Sequence, residues 1–378
     1  MDEGESSNGL TGRGLYKAIL LKDRLQVGVV DQPRLSGKVV DSGHFWHEVA
    51  GIRLMARAPG GLPADPEAGA SDWRCRPDGG HGIYSPGGDC VLWVLFVMLK
   101  IKKILAPAKV NLCLHVLGRR GDGYHDLAML MQRVALYDRL TIELSHGDRV
   151  TVVCPGLDLA AGEQNIVEKS ARLFLQHVGI KQGVKITIIK KIPAAAGLGG
   201  GSSDAAAVLE ALDGMLGTGL PRAELMALGR LLGADVPFFL YKKTAWATGI
   251  GERFQAWPGL PPLWLVLVNP RVAVSTAWAF QNLGLTHHRS IAKLPRFLQG
   301  TSALVRLLHN DLEVVTCQHY PVITTIKERL IVSGAEGTLM SGSGPTVFGV
   351  FADRGRAEWA AEEISRDTEW WVDVVSPL

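Results

Sequence analysis

The sequence has few cysteines, little excess charge and no long apolar run. Its five cysteines are scattered through 378 residues without CxxC spacing, which excludes a zinc ribbon and a dense disulfide framework. The net charge is only +3, so composition gives no sign of a nucleic-acid-binding face or of an anchor for acidic lipids. The apolar run at residues 91–99 is too short to span a bilayer, and no cationic segment precedes it as in a signal peptide.

These absences favour a cytoplasmic protein that acts on small molecules. Apolar residues make up 47% of the chain, enough for one large or two moderate domains. The scattered cysteines indicate a reducing compartment. We expect no nucleic-acid or membrane partner, and the sequence leaves the oligomeric state open between monomer and homodimer.

Residues 1–97 differ in composition from the rest of the chain. The range 57–90 is crowded with Gly, Pro and Asp and has neither helical nor strand periodicity, which predicts loop or disorder. Acidic residues occur throughout, unlike in an organellar transit peptide. We expect residues 1–97 to be a disordered extension or the product of a mis-assigned start, with translation beginning at Met98.

From Leu99 onward, strand and helix patterns follow one another without strict alternation, which favours an α+β fold over a doubly wound sheet. Strands are predicted within 103–118, 138–144, 183–189, 261–270 and 344–352. One helix is predicted over 165–179, closing at Gly179, with Ile166, Val167, Ser170, Leu173, Phe174 and His177 on one face. A second is predicted between Pro221 and Gly233.

A glycine-rich stretch, "PAAAGLGGGSSDAA" from Pro193, joins a predicted strand to a predicted helix. Its glycines let the backbone adopt positive φ angles and approach a ligand closely. Ser202 and Ser203 stand where a helix N-cap is expected, and an apolar stripe specifies the helix that follows: Ala205, Val208, Leu209, Leu212, Met215 and Leu216. A bare loop before a helix N-terminus predicts a phosphate site, with serine hydroxyls available to a phosphate-bound metal.

The two commonest phosphate-binding fingerprints do not fit this stretch. No Lys-Ser/Thr pair follows the glycines as in a Walker A loop, and the spacing of the glycines does not match G-x-G-x-x-G. A glycine-rich turn that only lets a helix and a strand pack closely is the alternative interpretation, which the length of the stretch and the paired serines disfavour.

The stretch resembles the Pro-x-x-x-Gly-Leu-x-Ser-Ser-Ala motif of the GHMP kinases, the family of galactokinase, homoserine kinase and mevalonate kinase. Four further segments resemble one branch of that family, in matching order and spacing: "APAKVNLCLHVLGRRGDGYHDL" at 106–127, "GADVPFFLY" at 233–241, "NDLE" at 310–313 and "MSGSGPTVFGVF" at 340–351. The "GRRGDGYH" run is peculiar to the branch. The resemblance begins at Met98 and extends to the C-terminus.

The resemblance implies a two-lobed α+β fold. The N-terminal, ATP-binding lobe, 98–260, would have a ribosomal-protein-S5-like βαβ topology, and the C-terminal lobe, 261–378, a ferredoxin-like α+β topology. It also implies ATP-dependent phosphorylation of an alcohol, with Mg²⁺ carried chiefly by the triphosphate and with no firm protein ligand. The substrate would be a cytidine diphosphate-linked methylerythritol, on the non-mevalonate route to isoprenoid precursors.

Two groups of site residues follow from the resemblance. Lys109 and Asp235 match the catalytic pair, a cation near the transferred phosphoryl group and a carboxylate that accepts the hydroxyl proton. On the ATP side the resemblance implies Asn165 near the adenine and Pro193, Ala194, Ala195, Ala196, Gly197, Leu198, Gly199, Gly200, Gly201, Ser202 and Ser203 around the phosphates. Taken alone, Lys109 reads as a solvated strand end, Asp235 as a loop cap and Asn165 as an N-cap.

A third group belongs to the phosphoryl acceptor. The resemblance implies Asn111, Tyr124, His125, Thr276 and Phe280 at the cytidine end of the substrate, where aromatic faces stack on the pyrimidine and polar groups bond to it. Without the resemblance, Phe280 could equally be a core residue, and Tyr124 and His125 could flank an ordinary turn.

Two other functions stay open on sequence. The chain could be another GHMP kinase, of the homoserine or mevalonate type, although that leaves "GRRGDGYHDL" without a role. It could also be a nucleotide-binding regulator or scaffold without catalysis. The presence of both Lys109 and Asp235 disfavours that interpretation.

Overall fold

The computed structural model describes residues 16–21, 24–29, 44–49, 52–57, 101–156, 165–284 and 300–378. The chain divides into two compact units, Met1–Val97 and Met98–Leu378. In the first unit, strands β1 (Tyr16–Leu21), β2 (Arg24–Val29), β3 (His44–Val49) and β4 (Ile52–Arg57) form a sheet in the order β2-β1-β4-β3. Sequence analysis assigns no element there. The irregular segment predicted after Arg57 lies outside the described residues, and the start at Met98 stays a prediction.

The second unit contains the strands and helices that carry the predicted site. Its strands are β5 (Ile101–Arg119), β6 (His125–Ser145), β7 (Val150–Val153), β8 (Gly183–Ile189), β9 (Ala245–Gly249), β10 (Arg253–Ala256), β11 (Trp264–Asn269), β12 (His309–Asn310), β13 (Gly337–Met340), β14 (Val347–Phe351) and β15 (Trp371–Val375). Its helices are α1 (Ile166–Val178), α2 (Gly200–Leu216), α3 (Arg222–Leu232), α4 (Val236–Tyr241), α5 (Thr276–Gln281), α6 (Gly300–Val305), α7 (Asp311–His319), α8 (Val322–Val332) and α9 (Arg354–Arg366).

The larger sheet is built around two long antiparallel strands, β5 and β6. The first half of β6 pairs with β9 and its second half with β8, while β5 pairs along both halves. Irregularities in register, one between Pro107 and Ala108 and one between Asn111 and Cys113, bend β5. Helices α1 and α2 pack against each other, and α2 lies against β5. This contact fixes the N-terminus of α2 relative to the side chains of β5.

The smaller sheet has four antiparallel strands in the order β13-β14-β11-β15. Helix α8 precedes β13, and α9 connects β14 to β15. This βαββαβ order is the ferredoxin-like arrangement, as predicted for the C-terminal lobe. Strand β12 runs parallel to β5, so the C-terminal part of the chain also contributes a strand to the larger sheet. The predicted division at residue 260 stays a prediction.

The amphipathic helices bury most of the residues expected. In α1, Val167, Ser170 and Phe174 are buried, whereas His177 is exposed and its Nε2 lies 2.6 Å from Glu224 Oε1. The placement of His177 on the buried face was therefore wrong, because the apolar stripe runs through Ala171 and Leu175 instead. Within the described residues, no helix has both the length and the apolar character needed to cross a membrane.

Candidate active site

Almost all of the predicted site residues line one cavity of about 1330 Å³. They are Lys109, Asn111, Tyr124, His125, Asn165, residues 193–197 and 199–202, Asp235, Thr276 and Phe280. Of the predicted set, Leu198 and Ser203 do not line it. The Leu198 carbonyl instead accepts a hydrogen bond of 2.9 Å from the Lys109 backbone N–H, which ties the glycine loop to β5.

The glycine loop leads directly into helix α2. The helix is capped by Gly199 in the left-handed conformation, and the first bond of the helix runs from Ser203 N to Gly199 O. The N–H groups of the preceding residues, from Gly200 to Ser202, therefore have no partner within the helix. The prediction that Ser202 and Ser203 cap the helix was wrong, because the chain turns helical two residues earlier at glycines that tolerate the bend.

Two positions in this loop depend on the absence of a side chain. At Gly197, which has φ +74°, an added Cβ would lie 2.1 Å from the Ser341 carbonyl oxygen. At Gly199, with φ +69°, it would lie 3.0 Å from the Lys109 side chain. The loop is therefore pressed against both the lysine and the segment that follows β13.

Lys109 and Asp235 lie side by side in the cavity. The distance from Lys109 Nζ to Asp235 Oδ2 is 3.4 Å, and the lysine also donates a hydrogen bond of 2.6 Å to Asn111 Oδ1. Lys109 is buried within β5, so its interpretation as a solvated strand end was wrong. Asp235 precedes α4 but makes no side-chain capping bond. Its side chain is 32% exposed, which leaves the carboxylate open to the cavity.

The "SGSGP" segment after β13, residues 341–345, holds the glycine loop in place. Ser341 Oγ donates a hydrogen bond of 3.0 Å to the Gly197 carbonyl and accepts one of 3.3 Å from the Asn111 backbone N–H. Ser343 Oγ lies 2.8 Å from Thr276 Oγ1, at the start of α5. The two serines therefore connect the glycine loop and β5 with the helix that carries Phe280.

The aromatic residues predicted for the substrate lie together. The rings of His125 and Phe280 stack with centroids 5.0 Å apart and an angle of 21° between their planes. Tyr124 is exposed at the rim. Partial burial lowers the pKa of His125, and the positive charge of Arg119 lowers it further. The neutral ring that this favours has one donor and one acceptor nitrogen.

Asn165 has a structural role at the start of α1. Its Oδ1 accepts a hydrogen bond of 2.9 Å from Val167 N, which makes it the N-cap of α1. The interpretation of Asn165 as an N-cap, made from the sequence without the family resemblance, is therefore confirmed. Because Asn165 also lines the cavity, the cap holds the start of α1 at the cavity wall.

Sequence reasoning missed a buried charge cluster at one end of the cavity. Lys190 Nζ donates hydrogen bonds to Asp138 Oδ2 and, at 2.9 Å, to Asp204 Oδ2. Asp138 also accepts from the backbone N–H groups of Lys191 and Ile192, at 2.6 and 2.9 Å. Burial raises the pKa of Asp204 to about 7, against the lowering effect of the Lys190 charge. Asp204 directly follows the paired serines, but nothing in the sequence places Asp138 beside it.

Comparison with known proteins assigns the chain to a family. Residues 165–243 match the profile of the GHMP kinases N terminal domain, and residues 295–368 match that of the GHMP kinases C terminal domain. The 4-diphosphocytidyl-2-C-methyl-D-erythritol kinase of Syntrophotalea carbinolica is 55% identical over 278 residues, covering 74% of this chain and 99% of that protein. The protein of the same name in Geobacter metallireducens is 51% identical over 280 residues, covering 74% and 100%.

The chain belongs to the GHMP kinase family. A solved structure of 4-(cytidine 5'-diphospho)-2C-methyl-D-erythritol kinase is 35% identical to this GHMP kinase, with a TM-score of 0.61 over 73% of this chain and 99% of the other. The mevalonate kinase of Methanococcus jannaschii, at 15% identity and a TM-score of 0.57, shows a likeness of fold alone. These findings confirm the α+β kinase fold, the resemblance to one branch of the family and the assignment as a small-molecule kinase.

Proposed function

We propose that the protein transfers the γ-phosphoryl group of ATP to the 2-hydroxyl group of 4-diphosphocytidyl-2-C-methyl-D-erythritol, a step in the non-mevalonate route to isoprenoid precursors. One observation carries the proposal: the Lys109–Asp235 pair lies in the same cavity as the N-terminus of α2 and the stacked rings of His125 and Phe280. These residues would provide a phosphate site, a base and a nucleobase-sized aromatic surface within one cavity. The identity of 55% to a kinase named for this substrate supports the choice of acceptor.

The ATP phosphates would bind to the loop from Pro193 to Ser203. Backbone N–H groups from Gly200 to Ser202 and the positive end of the α2 dipole favour negative charge at this position. The adenine would lie toward Asn165, at the start of α1, where Ile166, Val167 and Ile188 provide an apolar wall to the cavity. This placement directs the γ-phosphate toward the interior of the cavity and toward Lys109.

Mg²⁺ would travel with the triphosphate. Asp204 lines the cavity at the start of α2, and its buried Oδ1 has no hydrogen-bond partner within the described residues; such a carboxylate oxygen suits a water of the hydrated ion. The ion keeps most of its waters and needs few protein ligands, so the sparse set of oxygens here is compatible with it. When bound, it would neutralise charge that develops on the transferred phosphoryl group.

The chain's own residues carry out the proton and charge chemistry. Asp235 would accept the proton of the 2-hydroxyl as the oxygen bonds to the γ-phosphorus and the bond from that phosphorus to the bridging oxygen of ADP breaks. Lys109 holds the carboxylate in place at 3.4 Å and would contribute positive charge next to the equatorial oxygens. The bond of 2.6 Å to Asn111 Oδ1 fixes the lysine, so its charge is positioned before the substrate arrives.

The cytidine end of the acceptor would lie between aromatic side chains. Phe280 and Tyr124 offer faces for the pyrimidine, while His125 and Asn111 offer hydrogen bonds to polar atoms. Thr276 forms a hydrogen bond with Ser343, so the helix that carries Phe280 is held against the segment that follows β13. We propose a cytosolic location, where both substrates are soluble small molecules.

The experiment is a coupled assay of ADP release with purified protein and three acceptors: the cytidylated methylerythritol, homoserine and mevalonate. The proposal predicts that kcat/KM for the first exceeds the other two by at least about a hundredfold, since only it would fill the aromatic site. Higher activity on homoserine or mevalonate would assign the chain to another branch. ATP binding without transfer to any acceptor would favour a regulator.

A further inference from the structure

We propose that His115, His309 and Asp311 bind one divalent transition-metal ion of the zinc type. A ligand nitrogen from each histidine and a carboxylate oxygen of Asp311 all lie within 4.8 Å of one another. None of the three residues lines the active-site cavity. The proposal is therefore independent of the kinase function and concerns a second site.

The fold brings the three side chains together from strand β5 and from the junction between β12 and α7. The irregularity in β5 between Asn111 and Cys113 changes which residues face the cavity, so Leu114 lines the cavity and His115 does not. Strand β12 runs parallel to β5, and His309 is paired in register with Cys113. Asp311 begins α7 two residues beyond His309, and the extended backbone of Asn310 between them leaves the two side chains on the same side, with His309 Nε2 within hydrogen-bond distance of Asp311 Oδ1.

The donor set suits zinc better than magnesium. Imidazole nitrogens combined with one carboxylate oxygen are typical ligands of Zn²⁺, with water in the fourth position, whereas Mg²⁺ requires mostly oxygen. His309 is 47% exposed and gives an ion access from solvent. Asp311 is almost buried, and its Oδ2 accepts a hydrogen bond of 2.7 Å from Val116 N. That bond orients the carboxylate as outer-shell bonds do in metal sites.

The rearrangement needed for binding is small. His309 Nε2 lies 2.8 Å from Asp311 Oδ1. The imidazole rings of His115 and His309 stack with centroids 4.4 Å apart and an angle of 16° between their planes. Tetrahedral zinc with bonds of about 2.0–2.2 Å spaces its ligand atoms roughly 3.3–3.6 Å apart. The histidine–carboxylate pair would open by about half an ångström, and rotation of the imidazoles would direct both nitrogens at the ion.

The test compares zinc binding to the full-length wild type and to His309→Gln by isothermal titration, in buffer free of nucleotide and phosphate. We expect wild type to bind one more zinc ion than the variant, because the variant has lost one of three protein ligands. If the variant still binds zinc at this site, its Kd should be at least about tenfold higher than that of wild type. Mg²⁺ at the same concentration should give no signal that depends on His309. His309→Asn is the second variant.

His177→Gln is the matched control, because His177 is also a partly exposed histidine beside one carboxylate, Glu224, at 2.6 Å. It should bind zinc like wild type. The same samples give a second readout: excess zinc should raise the Tm of wild type and His177→Gln by about 2–5 °C more than that of either His309 variant. Equal stoichiometry, affinity and thermal shift in all four proteins would overturn the proposal.

Discussion

Lys109 Nζ lies 3.4 Å from Asp235 Oδ2, and the lysine belongs to the interior of β5 while the aspartate precedes α4. The lysine is 4% exposed, and a buried ammonium is costly unless a partner compensates it. Asp235 and Asn111 are those partners. The pair therefore has both a structural role in β5 and the proposed role in phosphoryl transfer, and the two can be separated by mutation.

Asp235→Asn tests the proposed base. The amide keeps the shape of the side chain but cannot accept the hydroxyl proton, so we expect kcat to fall by about a hundredfold or more. The Kd for ATP and for the cytidylated acceptor, measured by calorimetry, should change little. Asp367→Asn, at an exposed carboxylate outside the cavity, serves as the control and should keep wild-type turnover. Near-normal kcat in Asp235→Asn would remove this residue from the role of base.

Lys109→Met tests the cation. Methionine retains most of the buried volume but no charge, and loss of one preorganised electrostatic contact costs about a hundred- to a thousandfold in kcat. Lys103→Met, on the exposed edge of the same strand, is the control. In the double variant with Asp235→Asn, we expect kcat to fall much less than the product of the single effects, because the two residues act as a unit. Independent, multiplicative losses would argue against a joint role.

Phe280→Ala and Tyr124→Ala test the aromatic surface. Stacking of a base on an aromatic ring is worth about 1–3 kcal/mol, so each change should raise KM for the cytidylated acceptor by roughly five- to a hundredfold. KM for ATP should remain close to that of wild type. Trp359→Ala removes an exposed aromatic residue from α9 and should affect neither constant. An equal rise in KM for both substrates would contradict the assignment of these rings to the acceptor.

Ala195→Gly tests strain in the glycine loop. Ala195 has φ +49°, in the left-handed region where a Cβ is disfavoured by about 1–2 kcal/mol. Glycine removes that cost but adds unfolded-state entropy, so we expect the free energy of unfolding in urea to stay level or rise by up to about 1 kcal/mol. Ala194→Gly, at a neighbouring residue without positive φ, should lower it. A larger loss in the free energy of unfolding for Ala195→Gly than for Ala194→Gly would contradict backbone strain at Ala195.

The buried cluster of Lys190, Asp138 and Asp204 predicts a dependence of stability on pH. Asp204 has a pKa raised from 3.8 to about 7 in the folded protein. When the pKa of a carboxyl group is higher in the folded than in the unfolded protein, the group's contribution to stability is fully present below the unfolded pKa. That contribution is lost as pH rises through the folded pKa. Asp204→Asn cannot ionise. Its free energy of unfolding should therefore improve relative to wild type between pH 4 and pH 8, by on the order of 1 kcal/mol or more.

The comparison requires urea unfolding of both proteins at several pH values across that window. Asp148→Asn, at an exposed aspartate of the loop before β7, is the control and should follow wild type at every pH. A difference between Asp204→Asn and wild type that stays constant from pH 4 to pH 8 would exclude the raised pKa.

The sequence predicts local structure well where the local signal is complete. Strand β8 has the predicted bounds, and α3 lies between Pro221 and Gly233, because turn residues and periodicity mark those ends. The glycine loop was also found from residues alone, since Gly197 and Gly199 have positive φ angles that few other residues adopt. Membership of the family then gave the positions of Lys109 and Asp235.

Features that depend on long-range pairing were not predictable. The length of β5 and the burial of Lys109 follow from pairing with β6 and from contact with the glycine loop, and neither leaves a local pattern. The bonds from Lys190 to Asp138 and Asp204 join three separate segments, so spacing could not reveal them. The same is true of His115 and His309, which parallel pairing of β12 with β5 brings together.

The most direct measurement is a crystal structure with a non-hydrolysable ATP analogue and the cytidylated methylerythritol bound together. Our account predicts that the β- and γ-phosphates contact the N–H groups of Gly200 to Ser202. The 2-hydroxyl would lie within about 3.2 Å of an Asp235 carboxylate oxygen. A nucleotide bound outside the glycine loop, or an acceptor hydroxyl separated from Asp235 by another side chain, would contradict it.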